Sequence, residues 1–153
     1  MCAAILFWEL ENGTTISDRY RRGARRRRGG GAAAGAGATT AGAARGVGAA
    51  VARRFAAASD KLLLADADEE AGKKFTEELQ ANGIEATFVH ADVSKRLDVH
   101  NVIAEAKDAF GRIDILAHTA MAQFSAPFLE TSEDDFDRVV AANIRGAFLI
   151  NQA

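Results

Sequence analysis

The stretch GAARGVG, Gly42 to Gly48, spaces three glycines as G-x-x-x-G-x-G and runs directly into a segment of helical period. Glycine has no Cβ, so such a loop can turn tightly and let an anion come close to its backbone. The first amides of the following helix lack partners within it and sit at its positive end. Together these features read as a phosphate-binding turn. A competing frame, G-x-G-x-x-G from Gly35, fails because Thr40 fills its last glycine position and no periodic helix follows.

Outward from the loop, Val47, Val51 and Phe55 recur every four residues and predict one face of a helix ending near Ser59. KLLLAD (61–66) is a compact apolar run suited to a buried strand. DEEAGKKFTEELQANG follows with Ala71, Phe75 and Leu79 on one stripe, Glu69/Lys73 and Glu70/Lys74 as i,i+4 pairs, and Gly83 as the stop. EATFVHAD (85–92) is the next strand, and Val99, Val102, Ile103, Ala106 and Phe110 then mark a helix closed by Gly111. RIDILAHTA (112–120) is a further strand. TSEDDFDRVVAANIRGAFLINQA is a long helix capped at Thr131 or Ser132. This alternation predicts an α/β fold: a parallel sheet covered by helices on both faces. Its weak place is the first strand, where GAAAGAGATTA offers only Ala, Gly and Thr, residues that bury little area.

Asp66 ends the second strand 18 residues past Gly48. That is close to the roughly 20 expected for an acid that accepts the adenosine ribose hydroxyls of a dinucleotide. A carboxylate there repels a 2′-phosphate and so favours NAD over NADP. Arg45 works the other way, since a cation beside the loop can meet that phosphate; the desolvated like-charge clash outweighs an exposed pair. In ADADEE, Asp68 is the better placed of the acids to cap the next helix.

The segment TTAGAARGVGAAVARRFAAASDKLLLADADEEAGKKF resembles the cofactor loop, first helix and NAD-selecting acid of the short-chain dehydrogenase/reductase family. ADVSKR (91–96) resembles that family's adenine-contacting segment, with Asp92 and Val93 in the binding positions. GRIDILAHTA resembles its fourth strand. FLETSEDDFDRVVAANIRGAFLINQA resembles its fourth helix, where Asn143 matches the catalytic-relay asparagine. The resemblance runs from about Thr39 to Ala153. It implies a Rossmann-like, doubly wound parallel sheet, truncated to about four strands in the order 3-2-1-4. Residues 36–153 would be a partial dinucleotide-binding domain, with a fourth strand left as an open edge. It further implies nicotinamide cofactor contacts at Gly42, Arg45, Gly46, Val47, Gly48, Asp66, Asp92, Val93 and Ala120, a role in catalysis for Asn143, and interconversion of a secondary alcohol and a ketone. A homo-oligomer through the fourth helix is a further expectation.

Two departures stand out. Ala41 occupies the place before the first glycine where the family usually has Thr. The family's N-N-A-G is His118-Thr119-Ala120-Met121 here. Asparagines at those positions brace the strand and the loop; His118 and Thr119 can donate some of those bonds, while Met121 lacks glycine's access to positive φ. His118 ends a strand on the ligand side with a pKa suited to a general base, yet without an acid or nucleophile partner it reads as structural. The family's chemistry also needs a downstream Ser and a Tyr-x-x-x-Lys for proton transfer and ribose binding. The sole tyrosine is Tyr20. The chain is therefore expected to be a fragment that binds dinucleotide weakly and does not turn over.

Composition narrows the alternatives. A chain of 153 residues with 48% apolar content fits one domain with a real core. Residues 1–30 hold seven arginines against three acids, while the rest holds twelve cations against eighteen acids. The acidic body makes nucleic acid an unsuited partner, and only the low-complexity Arg/Gly/Ala-rich head, residues 1–35, could meet a polyanion; it is expected to be disordered. Cys2 is the lone cysteine, so internal disulfides are excluded and no thiol metal cluster is expected; the histidines show no ligand spacing either. No apolar run approaches the roughly 20 residues of a membrane span, and the cytoplasm is the default location. Two rivals remain: a non-enzymatic binding protein using the arginine head, and an S-adenosylmethionine-dependent methyltransferase, which also uses a glycine loop and an acid after the second strand.

Overall fold

The structure, a computed structural model, describes residues 37–57 and 61–153. The expectations for the arginine-rich head and for a helix end near Ser59 lie outside the described residues. Four strands, β1 (Gly37–Ala41), β2 (Lys61–Asp66), β3 (Glu85–His90) and β4 (Ile115–His118), form one sheet in the order β3-β2-β1-β4. All pairings are parallel. The crossovers carry α1 (Gly46–Ala56), α2 (Glu69–Ala81) and α3 (Arg96–Phe110). After β4 come a 3₁₀ turn at Phe128–Glu130, α4 (Glu133–Val140), a π-helical turn at Ala141–Arg145 and α5 (Gly146–Gln152). This is the expected Rossmann-like architecture.

β2 shows how the sheet is held. Its side chains alternate between two cores, as the pleat requires. Leu62 and Leu64 enter a cluster with Ala49, Ala52, Phe75 and Leu79 beneath α1 and α2. Leu63 and Ala65 enter another with Val102, Ala106 and Phe110 of α3. Each of the three leucines is completely buried, which contributes about 1.5–3 kcal/mol apiece.

β1, poor in large side chains, is nonetheless buried along its whole length. Its small residues admit close neighbours. A Cβ on Gly37 would lie 2.3 Å from the Phe110 ring, so the last turn of α3 fills the space that a side chain would take. Thr39 and Thr40 are fully buried and their hydroxyls have no hydrogen-bond partner. The central position of β1 between β2 and β4 supplies the burial that its own side chains cannot demand.

Four elements differ from the sequence pattern. The fully buried face of α1 is Gly48, Ala49, Ala52 and Ala56, and of the Val47, Val51 and Phe55 stripe Phe55 packs against that core only partly buried. Val47 is half exposed, because the smaller face lets the helix lie nearer to the loop and strands. Strand pairing stops at His118 and at His90, inside the apolar runs that predicted longer strands. The last helix is interrupted by the π turn, which contains Asn143. The Ser132 side chain caps its start, accepting from the Asp135 amide at 3.2 Å.

Candidate functional site

The site forms where β1, β2 and β4 end together, the crevice at which open α/β sheets take their ligands. After Ala41 the chain turns at Gly42, φ 79°, where a Cβ would lie 2.3 Å from the Ala120 nitrogen. Gly48 is tighter still: a Cβ there would lie 1.7 Å from the Gly42 carbonyl oxygen and 2.6 Å from Thr119 Oγ1. Gly46, φ 55°, differs from both, with nothing within 4 Å of the place a Cβ would occupy. Space over Gly46 and the amides that open α1 are thus what the loop presents outward. α1 has no acid in its first turn, so nothing there offsets the positive helix end.

Thr119 closes the inner side. Its amide donates to the Ala41 carbonyl at 2.8 Å. Its hydroxyl lies 2.8 Å from the same oxygen and 3.1 Å from that of Gly42. A threonine thus provides the strand-to-loop brace expected of an asparagine, as the sequence departure allowed. His118, one residue earlier and paired with Ala41, has both ring nitrogens buried without partners. Burial pushes its pKa below the usual histidine range and keeps the ring neutral. Ala120 follows against Gly42, and Met121 is exposed.

Asp66 ties the β1–α1 turn to the β2–α2 turn. Its Oδ2 accepts from the Ala44 amide at 2.8 Å and its Oδ1 from the Asp68 amide at 2.9 Å. Each carboxylate oxygen has a second lone pair, so both can accept again. Asp68 caps α2 through the Ala71 amide at 3.0 Å. Arg45, at the N-cap of α1, has its side chain largely exposed and its guanidinium 2.7 Å from Asp68 Oδ2. On β3, His90 pairs with Asp66, and its Nε2 lies 3.2 Å from the Ala67 carbonyl oxygen.

The segment after β3 flanks the same crevice. Asp92 accepts from the Ser94 hydroxyl at 2.7 Å and the Ser94 amide at 3.0 Å, with Lys95 at 3.5 Å. Partial burial alone would raise its pKa, but the Ser94 hydrogen bonds and the Lys95 charge outweigh that and hold it below the usual carboxylate value. The Val93 side chain is buried with Ala41, Val99, Leu149 and Ile150. It presses on α5, where a Cβ on Gly146 would come within 2.8 Å of it. Any ligand contact from this position therefore falls to its backbone.

Asn143 makes a two-way clasp on the segment following β4: Oδ1 accepts from the Ala122 amide and Nδ2 donates to the Ala122 carbonyl, both at 2.9 Å. The side chain holds the chain just past Ala120 against the π turn. The structure brings the sequence-predicted Gly42, Gly46, Gly48 and Asp66 together at the loop and sets Asn143 on the π turn, while the Arg45–Asp68 pair and the clasp on Ala122 were not foreseen. Neither has a local signal, since the partners lie on different elements. Among the described residues no group of three His, Cys, Asp or Glu is placed to hold a metal. None of their helices is long and apolar enough to cross a membrane.

Comparison with known proteins fits this geometry. The sequence model of short chain dehydrogenases matches residues 37–153. An uncharacterized oxidoreductase of Thermotoga maritima is 37% identical over 98 residues, 64% of this chain and 38% of that protein. Oxidoreductase UcpA of Salmonella typhimurium is 37% identical over 103 residues, 67% of this chain and 39% of its own length. Among solved structures, a dehydrogenase/reductase from Sinorhizobium meliloti superposes with a TM-score of 0.72 at 32% identity, covering 76% of this chain and 47% of that one. A hydroxysteroid dehydrogenase from Escherichia coli gives 0.71 at 26% identity. The chain spans about two fifths of the curated relatives it matches and about half of the solved ones.

Proposed function

Because this chain belongs to the short-chain dehydrogenase family, we propose that residues 37–153 form the cofactor-binding portion of an oxidoreductase that interconverts a secondary alcohol and a ketone. The cofactor is NAD in preference to NADP. The observation that carries the reading is the open cradle over Gly46 beside a carboxylate fastened to the same loop. In it, the amides at residues 46–48 hold the pyrophosphate, with Gly42 and Gly48 shaping the turn. Asp66 accepts the adenosine ribose hydroxyls with its remaining lone pairs. Asp92 and the Val93 backbone meet the adenine, while Val47, Arg45 and Ala120 line the loop. Asn143 fixes the chain past β4 next to the reacting end. The dinucleotide supplies the hydride acceptor or donor.

The 153 residues contain no Tyr-x-x-x-Lys, the pair that handles the substrate proton in the family. The chain by itself therefore binds dinucleotide without turning over. Phe136, Ile144 and Phe148 expose apolar surface along α4, the π turn and α5, which supports self-association through this helix. A cytoplasmic location completes the reading.

The decisive measurement is calorimetry of NAD with the purified chain and its Asp66→Ala variant. Loss of one charge-assisted contact predicts about a tenfold weaker affinity; an unchanged affinity refutes the assignment. Absorbance of reduced nicotinamide, followed with secondary alcohols, should show no sustained turnover.

A further inference from the structure

We infer that Asp68 is a second determinant of cofactor choice, acting by holding Arg45 away from a 2′-phosphate; this rests on the dinucleotide reading above. Five residues join the two turns that flank Asp66. Asp66 accepts from the Ala44 amide and the Asp68 amide, and Asp68 accepts from Ala71 with one oxygen. Its other oxygen meets the Arg45 guanidinium at 2.7 Å. Arg45 immediately precedes Gly46, so its side chain reaches from the pyrophosphate cradle to the acid two residues beyond the one that faces the ribose.

The chemistry of the two cofactors separates here. A 2′-hydroxyl is neutral and needs only an acceptor, which Asp66 provides. A 2′-phosphate brings close to two negative charges and needs a donor cation at the same place. Two backbone amides already donate to Asp66, and their dipoles offset part of its repulsion. Arg45 could offset the remainder, because guanidinium matches phosphate geometry with two parallel N–H donors. With Asp68 paired to it, one guanidinium nitrogen is engaged and a second carboxylate stands at the spot. A phosphate must break that pair and tolerate both acids. The pair thus converts a residue that would favour NADP into one that is neutral toward the choice.

Asp68→Asn tests this with little disturbance, since Asn is as good an N-cap as Asp and can still accept from Ala71. Asp68→Ser, another good cap, serves if the first variant does not fold. Calorimetry at pH 8 compares NAD, NADP and adenosine 2′,5′-bisphosphate on the full chain. The ratio of NADP to NAD affinity should rise about tenfold in Asp68→Asn, the scale of one charge-assisted hydrogen bond. The bisphosphate should gain in parallel. Arg45→Gln should change the ratio less than about twofold in the native background and erase the gain in the Asp68→Asn background. If NAD binds but the ratio stays fixed in Asp68→Asn, or the gain survives loss of Arg45, the inference is wrong and the dinucleotide reading stands. If the native chain binds neither dinucleotide, both fall together.

Discussion

The loop between Gly42 and Gly48 has two flanks built on opposite grounds. On the flank facing β4, glycines are needed because the protein's own atoms fill the space: Gly42 carbonyl oxygen and Thr119 press where a Gly48 side chain would begin. On the outer flank, Gly46 faces open space and is needed for its left-handed backbone, φ 55°. One spacing of three identical residues thus serves packing at Gly42 and Gly48 and access at Gly46 between them. Steric demand inside fixes the loop; absence of atoms outside leaves room for a ligand.

The contrast can be broken most forcefully at Gly48. An alanine there would overlap a backbone oxygen that cannot move without β1 and α1 moving too. We expect Gly48→Ala to cost about 4 kcal/mol or more and to abolish cooperative unfolding near the native Tm. A native-like melting curve would show that the inner flank is not tight. Next in size is Thr119→Val, which removes the hydroxyl that braces Ala41 and Gly42. It should cost about 1–3 kcal/mol in denaturant titration, with Thr119→Ser recovering most of it.

Gly46→Ala sharpens the other side. With nothing within 4 Å, the methyl group meets no clash, and only the left-handed backbone is penalised, by about 1–2 kcal/mol. The methyl would nonetheless occupy the cradle, so NAD affinity should fall by more than the stability change accounts for. Equal losses in both would mean that the cradle lies elsewhere.

The smallest effect is a pH slope from His118, which stands behind the inner flank. Burial lowers its folded pKa below the ordinary 6.5, so the unfolded chain takes up the proton first as pH falls. Stability from this group is complete above about pH 6.5 and declines below it toward the folded pKa. Asp92, lowered from 3.8, acts in a separate window: its contribution is present above that value and lost as pH falls through its folded pKa. Melting temperature measured from pH 7 to 5 should therefore drop in the native chain, and the slope should vanish in His118→Asn.

Much of the fold could be read directly from residues. Leu62–Leu64 declared a buried strand, and the stripe from Val99 to Phe110 declared α3, because large side chains in a strict period have few other stable placements. β1 was obscure for the converse reason: GATTA bears no large apolar side chain, and only its neighbours on both sides bury it. The stripe on α1 misled in the same way, since a close approach prefers Ala49 and Ala52 to Val47 and Val51. At the site, Asp66 and the glycines announced themselves by spacing. Thr119 did so only through the position it shares with a bracing asparagine. Arg45 and Asp68 gave no sign of their pairing, because an ion pair between turns leaves no periodic trace.

By itself, the order of residues determined the parallel alternation of strands and helices, the anion-favouring loop and the acid that ends β2. These follow from local rules of spacing, helix ends and apolar period. Tertiary structure alone decided which glycine is closed and which is open, that a threonine braces the loop, and that Arg45 is held by Asp68. Those outcomes depend on distances between segments far apart in the chain, which only the closing of the sheet sets.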